Sequence, residues 1–172
     1  MIEFTRAMGR QTKNTLECNI AYSIVHKYLS GLKVIDPFAR NCEFAYPYTN
    51  DIDPNTKAED HLDVEDYLEY WKSMKVRFQG AILDPPFSAR QDKEIYGDAN
   101  LYTQPAKMKR IELALGNLVE AGGFVVKFGY NSNFSHEAFS CTGIHLIRYG
   151  GSMNDLIVSI HQRTIADLGE WQ

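Results

Sequence analysis

Apolar residues recur along the chain with two periods, one typical of helices and one typical of buried strands. Helical spacing predicts amphipathic helices over residues 14–30, 64–74 and 104–121. Short apolar runs predict strands at 33–38, 45–48, 81–83 and 124–130, followed by a two-stranded hairpin at 144–149 and 155–161. Gly31 and the pair Gly122-Gly123 are expected to end the first and third helices. Strands that alternate with helices in this way predict an α/β fold.

Two stretches follow neither period. Residues 1–13 are basic and polar, and we interpret them as an arm. Residues 88–103 form a long polar stretch after the strand at 81–83. A loop of that length in a small domain is usually a lid, a binding loop or disordered, so we expect a substrate loop here.

The clearest local motif is Asp84-Pro85-Pro86-Phe87, which directly follows the apolar strand at 81–83. The two prolines fix two φ angles and remove two N–H donors, so the backbone presents only carbonyl acceptors. A carboxylate, a carbonyl and an aromatic ring held side by side are suited to binding a planar group that carries an amino group. Because ligands bind at the carboxyl ends of parallel strands, we expect a site here. A turn that only ends the strand is the alternative.

This motif resembles the catalytic motif of the S-adenosylmethionine-dependent amino-methyltransferases, which methylate adenine N6 or cytosine N4. The resemblance implies a Rossmann-like class I methyltransferase fold, in which a mostly parallel seven-stranded sheet ends in an antiparallel hairpin. It implies one domain over residues 1–172, without a separate target-recognition domain. Asp84 and the Pro85 carbonyl would accept hydrogen bonds from the target amine, beside Pro86, and Phe87 would stack on the base. The substrate contacts that we expect from the loop after this motif and from the loop after the strand at 124–130 are Ser88, Arg90, Tyr96 and Asn131.

A second motif, Asp36-Pro37-Phe38-Ala39-Arg40, follows the first predicted strand. It resembles the family's cofactor motif, Asp-Pro-Phe-x-Gly-x-Gly, and small phage-type adenine methyltransferases have a similar Asp-Pro-Phe-Ala-Arg string. The resemblance implies that Asp36, Pro37, Phe38 and Ala39 contact S-adenosylmethionine. The chain departs from the motif because residues 39–42 include no glycine, the residue that normally lets this turn approach the cofactor.

Asn14 and Thr15 precede the first strand, where the family has a segment that holds the methionine end of the cofactor. The resemblance therefore adds both residues to the expected cofactor site. Capping of the first helix is the alternative role for them.

Further acidic positions complete the expected cofactor site. A Rossmann-like fold binds ribose hydroxyls with a carboxylate roughly 20 residues after the first turn. Asp51 fits this role by its resemblance to Asn-Asp-x-x-Pro forms of the motif, Asp53 is the alternative, and Ile52 would lie against the adenine ring. A simple Asp-Pro turn would also explain the acids here. Residues 58–63 take the place of the family's edge strand, and Asp63 matches the acid that accepts from the adenine amine, although it is equally suited to cap the next helix.

The composition is that of an ordinary globular protein, and 172 residues are enough for a core of its own. No apolar stretch is long enough to span a bilayer and the amino terminus has no signal-peptide pattern, so we expect a cytoplasmic protein with no membrane partner. Cys18, Cys42 and Cys141 are widely spaced and are expected to be reduced thiols. The histidines form no ligand pattern, and no metal site is expected.

The net charge of −4 is unusual for a protein that binds nucleic acid through its phosphates. Basic clusters nevertheless occur within residues 6–13, 72–77 and 107–110, and they are either solvated faces or phosphate contacts.

The resemblance leads us to expect transfer of a methyl group from S-adenosylmethionine to adenine N6 in DNA, in a phage-encoded or host-defence enzyme. An RNA adenine methyltransferase, a cytosine N4 methyltransferase and a non-catalytic methyltransferase-like subunit are the alternatives. Target recognition would come from loops, the arm, a second copy of the chain or a partner subunit.

Overall fold

The computed structural model describes residues 1–86, 104–151 and 154–164. Within these ranges the helices and strands are β1 (Glu3–Met8), α1 (Asn19–Leu29), β2 (Val34–Ile35), α2 (Val64–Ser73), β3 (Phe78–Leu83), α3 (Pro105–Leu118), β4 (Val119–Gly129), β5 (Phe139–Arg148) and β6 (Leu156–Arg163). In the same ranges, every helix is too short or too polar to cross a membrane.

The described strands form one mixed sheet in the order β1-β5-β6-β4-β3-β2. β2, β3 and β4 are parallel, and β6 runs antiparallel to both β4 and β5. The predicted carboxyl-terminal hairpin is therefore confirmed. β1 pairs in parallel with β5, so β1 to β5 all direct their carboxyl ends to the same edge of the sheet. The described sheet has six strands where seven were expected.

The expected sheet differs from the observed one on the far side of β2, where strands were predicted at residues 45–48 and 58–63. The predicted strand at 45–48 is wrong, because the chain turns there and the Tyr48 N–H donates to the Ala45 carbonyl at 2.8 Å. Sheet-like pairing is limited to isolated parallel bridges, Asp36 with Thr49 and Asn50 with Asp60. A proline at position 47 removes a backbone donor, which favours a turn over a strand at this place. The predicted edge strand at 58–63 is correspondingly reduced to its single bridge at Asp60.

Residues 3–8 form a strand, so the interpretation of residues 1–13 as an arm is wrong for this part. The pairing with β5 runs from Glu3 opposite Gly143 to Met8 opposite Arg148. β1 lies at the edge of the sheet with mostly exposed side chains. It therefore carries no alternation of buried apolar and exposed polar residues, which is the pattern that identifies a strand in a sequence.

Helices cover both faces of the sheet. α2 and α3 pack on one face, where Leu68 and Leu115 share a cluster with Leu83. α1 packs on the other face, where Leu29 shares a cluster with Ile82. Successive residues of β3 thus enter opposite layers, as the two-residue period of a strand requires. The predicted central strand is confirmed, since residues 80–83 are buried.

Two predicted helix boundaries differ from the structure. The first helix begins at Asn19, because Thr15–Glu17 forms a separate 3₁₀ turn. Its predicted end is confirmed, since Gly31 follows the cap residue with a φ of +75°. The third helix ends at Leu118 and β4 begins at once, so the predicted stop at Gly122-Gly123 is wrong.

Gly122 and Gly123 lie within β4 and do not end a helix. A Cβ atom at Gly123 would lie 2.6 Å from the Gln79 carbonyl oxygen, so the close approach of β3 requires glycine there. The pairing of β3 with β4 shifts in register at this place. Glycine within a strand often marks such an irregularity.

The end of α2 offers a test of local stability. Lys75 has a φ of +55°, and the hydrogen bonds from its N–H to Lys72 and from the Val76 N–H to the Trp71 carbonyl form a Schellman motif. Replacing Lys75 with glycine removes the cost of a Cβ atom in this left-handed position. We expect the free energy of unfolding to rise by about 0.5–1 kcal/mol, measured by urea denaturation. Lys75→Ala is the matched control, since it keeps the Cβ atom and should gain little; an equal gain in both variants would contradict the strain argument.

Candidate functional site

Several of the predicted site residues lie at the carboxyl edge of the sheet. The chain leaves β2 at Asp36 and β3 at Asp84, and these strands are neighbours. β1 ends at the same edge, where the Gly9 N–H donates to the Arg148 carbonyl at 2.9 Å. A cavity at this edge, the β2 cavity, is lined by the predicted residues Asn14, Thr15, Asp36, Phe38, Ala39, Asp84, Pro85 and Pro86. Its other lining residues are Lys13, Leu16, Arg40, Cys42 and Ile82.

Asp36 lies at the base of this cavity. Its side chain is buried, and its Oδ1 accepts a hydrogen bond from the Phe38 N–H at 3.1 Å. Burial raises the pKa of Asp36 well above its usual value, and the nearby carboxylates of Asp84 and Asp51 raise it further. A ligand that carries positive charge would relieve this accumulation of acids.

Asp84 has an acceptor without a partner. Its Oδ1 is buried and has no hydrogen-bond partner among the described residues. Burial raises the pKa of Asp84 to about 7, while a hydrogen bond from Thr15 and the positive charge of Arg40 act in the opposite direction. A buried acceptor left unpaired is costly, and such atoms often mark the place of a ligand or water.

Arg40 occupies the turn where the family motif has glycine. Its φ of +49° lies in the left-handed region, which explains why glycine is common in this turn. Its positive charge lowers the pKa of both Asp84 and Asp51, and its Nε is buried without a partner among the described residues. Arg40 was not among the predicted site residues. The sequence could have indicated this, because residues 39–42 include no glycine and a residue of another type must then take the left-handed conformation.

Asp51 and Asp53 differ in their surroundings. Asp51 is buried, its Oδ1 accepts from the Asp53 N–H at 2.9 Å, and its Oδ2 has no partner among the described residues. Burial raises the pKa of Asp51. Asp53 uses its Oδ1 to accept from the Asn55 backbone and side chain, which lowers the pKa of Asp53. Asp51 therefore has an acceptor of the kind that a ribose would need, and Ile52 beside it is partly buried, but neither residue lines the β2 cavity.

Asn14 and Thr15 lie on the wall of the β2 cavity, on the segment that follows β1. Asn14 makes no side-chain cap hydrogen bond, and the cap position of α1 is Cys18, so the capping alternative is wrong for α1. The Asn14 Oδ1 is buried and has no partner in the described ranges. It is a further acceptor that a ligand in this cavity could satisfy.

Asp63 caps α2, as one of its two predicted roles required. Its Oδ1 accepts from the Glu65 N–H at 2.9 Å, and its Oδ2 pairs with the Lys107 ammonium at 3.1 Å. Both carboxylate oxygens thus have partners within the protein, and Asp63 does not line the β2 cavity. Its predicted contact with an adenine amine stays a prediction. Pro37 is buried behind the cavity wall.

A second cavity, the β4 groove, shares Pro85 and Pro86 with the β2 cavity as lining residues. It is also lined by Met108 of α3 and by Tyr130 and Asn131, which follow β4. Asn131 therefore lies at this edge as predicted, but in a different cavity from the expected cofactor residues. The remaining predicted substrate contacts Ser88, Arg90 and Tyr96, together with Phe87 and the loop 88–103, lie outside the described residues.

The β4 groove contains two residues that the sequence analysis did not predict. Lys127 on β4 and Glu112 on α3 line it and form a buried ion pair, with the Lys127 Nζ 2.7 Å from the Glu112 Oε1. The sequence could have indicated such a pair, because it places a lysine inside the apolar run of residues 124–128 and a charge inside a buried strand requires a partner.

Comparison with known proteins gives a fold likeness. The chain matches no family model and no protein of those with curated descriptions. Among solved structures, it is similar to SMU.776, assigned as a methyltransferase and solved in complex with SAH, with a TM-score of 0.60 and 12% identity. It is also similar to TrmN from Thermus thermophilus, with a TM-score of 0.54 and 11% identity. Each likeness covers 84% of this chain and 48% of the other, so the chain spans about half the length of these proteins.

A third similar structure is close to this chain in extent. It is a protein from Clostridium thermocellum assigned as an rRNA methylase, with a TM-score of 0.51 and 13% identity. The likeness covers 88% of this chain and 99% of that one. At such identities the likeness defines a fold and no more. The chain therefore has the α/β fold of S-adenosylmethionine-dependent methyltransferases.

Proposed function

We propose that the protein is an S-adenosylmethionine-dependent methyltransferase that methylates the N6 amine of adenine in DNA. The observation that carries this proposal is the position of Asp84-Pro85-Pro86 at the carboxyl end of β3. Its prolines line both the β2 cavity and the β4 groove, and Asp84 faces the β2 cavity. A methyl donor bound in the β2 cavity and a target base bound in the β4 groove would therefore meet at this motif.

The residues of the β2 cavity fit S-adenosylmethionine. Two buried acceptors without a partner among the described residues suit this ligand. The Asn14 Oδ1, on the cavity wall, would accept from the ammonium of the methionine end, and the Asp51 Oδ2, outside the lining of the cavity, would accept from the ribose hydroxyls. Phe38 and Ala39 give the cavity an apolar wall. Bound S-adenosylmethionine would supply a methyl group activated by its sulfonium charge. The carboxylates of Asp36, Asp51 and Asp84 suit a cationic ligand.

This charge arrangement predicts how cofactor affinity depends on pH. Asp84 has a pKa of about 7 in the ligand-free protein, and a cation beside it favours the ionised form. Below pH 7, binding must release the proton, so the affinity should fall by up to about tenfold per pH unit. We therefore expect the Kd for S-adenosylmethionine to tighten from pH 5.5 to 8.5 in calorimetric titrations.

S-adenosylhomocysteine is the matched control ligand, because it lacks the sulfonium charge. Its affinity should depend less on pH, and Asp84→Asn should flatten the profile for S-adenosylmethionine. Equal pH profiles for the two ligands would contradict a role for these carboxylates in binding the cation.

Asp84 and Pro85 would act on the target amine. The lone pair of an exocyclic adenine amine is delocalised into the ring, so the nitrogen is a poor nucleophile. The Asp84 carboxylate would accept one N–H and the Pro85 carbonyl the other, which favours a nitrogen whose lone pair points at the methyl group. This contribution combines positioning with electrostatic preorganisation. Phe87 would stack on the base.

Nucleic acid would approach the same edge of the sheet. Arg10 and Lys13 follow β1 there, and Lys109 lines the β4 groove. These cations would contact phosphates despite the net charge of −4. A base inside a duplex cannot reach the site, so the enzyme would flip it out or act on a single strand. A second copy of the chain or a partner subunit would add target recognition.

Methylation of adenine in RNA is the second candidate function. It is favoured by the likeness to the Clostridium thermocellum protein assigned as an rRNA methylase, which covers 99% of that protein.

Transfer of labelled methyl from S-adenosylmethionine to unmethylated DNA and to RNA, followed by nucleoside analysis, distinguishes the two candidate functions. N6-methyladenine in DNA alone supports the proposal, and label in RNA alone supports the second candidate. Cofactor binding without transfer to either would indicate a required partner or a non-catalytic subunit.

A further inference from the structure

Lys127 and Glu112 form an ion pair in the interior of the protein, with side-chain exposures of 9% and 5%. Desolvation of two charges offsets most of their attraction, so such a pair contributes little to stability compared with apolar side chains of similar size. Lys127 lies on β4 opposite Leu83, the residue before Asp84. The pair therefore lies beside the strand end that carries the candidate catalytic carboxylate.

The other hydrogen bonds described for the pair go to the segment that follows β4. The Lys127 ammonium donates to the Asn133 carbonyl and lies 3.4 Å from the Asn131 Oδ1. The Glu112 Oε2 accepts from the Ser135 N–H at 2.9 Å. Within the segment, the Asn133 N–H donates to the Asn131 Oδ1 at 3.1 Å. The three donors of the ammonium each have an acceptor, so the pair ties residues 131–135 to both β4 and α3.

This segment is one wall of the β4 groove. Asn131, Asn133 and Ser135 line the groove opposite Pro85 and Pro86, and the ion pair itself is part of the lining. Exposed polar segments of this kind lose conformational freedom when they close on a ligand. A segment already fixed by hydrogen bonds avoids that cost, which is the general basis of preorganised binding.

We propose that Lys127 and Glu112 are positioning residues that fix residues 131–135 as the wall of the groove that receives the target nucleotide. This inference rests on the proposed function, because it takes the β4 groove as the nucleic-acid side of the site. The pair acts through the segment and need not touch the reacting atoms. Its loss should weaken nucleic-acid binding and leave cofactor binding unchanged.

The test uses the double variant Lys127→Met with Glu112→Leu. Removing one partner alone would leave an unpaired buried charge and risks unfolding the protein, whereas apolar side chains of similar size keep the packing. We expect the affinity for an adenine-containing single-stranded DNA oligonucleotide, measured by fluorescence anisotropy, to fall about tenfold or more. The Kd for S-adenosylmethionine should stay within about twofold, and the Asn133 and Ser135 amides should exchange hydrogen faster.

Arg163→Met is the matched control for loss of a buried cation. The Arg163 guanidinium donates to the Val119 carbonyl at 2.6 Å, near the amino end of β4 and so at the opposite edge of the sheet. This variant should change thermal stability without changing oligonucleotide affinity. A smaller loss of affinity in the double variant than in Arg163→Met would contradict the inference.

The outcomes separate this inference from the proposed function. Wild-type protein that binds the oligonucleotide but transfers no methyl group contradicts the proposed function and leaves the affinity comparison valid. A folded double variant with wild-type oligonucleotide affinity and wild-type amide exchange overturns the inference, even if the wild-type enzyme is active. Wild-type protein without affinity for the oligonucleotide or its RNA counterpart also overturns it.

Discussion

Replacing Asp84 with alanine is expected to abolish methyl transfer, while the protein still binds S-adenosylmethionine with the weaker affinity and flatter pH profile that follow from loss of the carboxylate. The variant removes the acceptor proposed to hold the target amine, and loss of one such preorganised contact lowers kcat by about 100- to 1,000-fold. The protein should stay folded, because the Asp84 Oδ1 has no partner among the described residues and loss of the hydrogen bond from Thr15 costs only about 1.5–3 kcal/mol. The measurement is single-turnover transfer of labelled methyl at saturating cofactor, beside a calorimetric Kd for the cofactor.

Two further variants sharpen this result. Asp84→Asn keeps one acceptor oxygen at the same place and should retain more activity than Asp84→Ala. Asp66→Asn removes an exposed carboxylate of α2, away from both cavities, and should behave as wild type. Full activity in Asp84→Ala would refute the assignment of the catalytic residue.

The second large effect is expected on cofactor affinity when Asp51 is replaced with alanine. Its Oδ2 is buried and unpartnered in the described part of the chain, and we assign it to the ribose hydroxyls. A hydrogen bond to a charged group contributes about 1.5–3 kcal/mol, so the Kd for S-adenosylmethionine should rise roughly 10- to 100-fold. Isothermal titration calorimetry of the wild type and the variant at the same pH gives the two Kd values.

Asp53→Ala is the matched control for this variant. Asp53 is two residues away, but its carboxylate is occupied by Asn55. We expect its replacement to change the affinity by less than about threefold, as for a lost solvent-exposed contact. Unchanged affinity in Asp51→Ala with a large loss in Asp53→Ala would move the ribose role to Asp53.

The elements that sequence reasoning predicted well are those with a strong apolar pattern. β3 is buried on both faces and is followed by two prolines, so both its existence and its end could be read from composition. The carboxyl-terminal hairpin was predictable because its strands are apolar and flank a glycine pair. Asp36 and Asp84 meet at one edge because parallel neighbouring strands end together, which follows from topology alone.

Other features depend on contacts that a sequence does not display. β1 lacks an apolar period because it pairs along one edge, so its place beside β5 depends on a partner about 140 residues away. The ion pair of Lys127 and Glu112 joins a strand to a helix, and neither residue alone indicates the other. Arg40 lies in a left-handed conformation that is rare for its residue type, so the backbone preference of arginine would not have predicted this conformation.

The pairing of β1 with β5 has a consequence for the order in which the protein folds during synthesis. Residues 3–8 are synthesised well before their hydrogen-bonding partner, which consists of residues 139–148. A strand with an exposed edge and apolar side chains such as Phe4 must therefore wait unpaired until β5 is made, a period in which it is open to chaperones and to aggregation. Contacts so distant in sequence also slow folding in general. The wall formed by Asn14 and Thr15 follows this strand directly, so a nascent chain should acquire cofactor binding only after β5 has been made and has paired with β1.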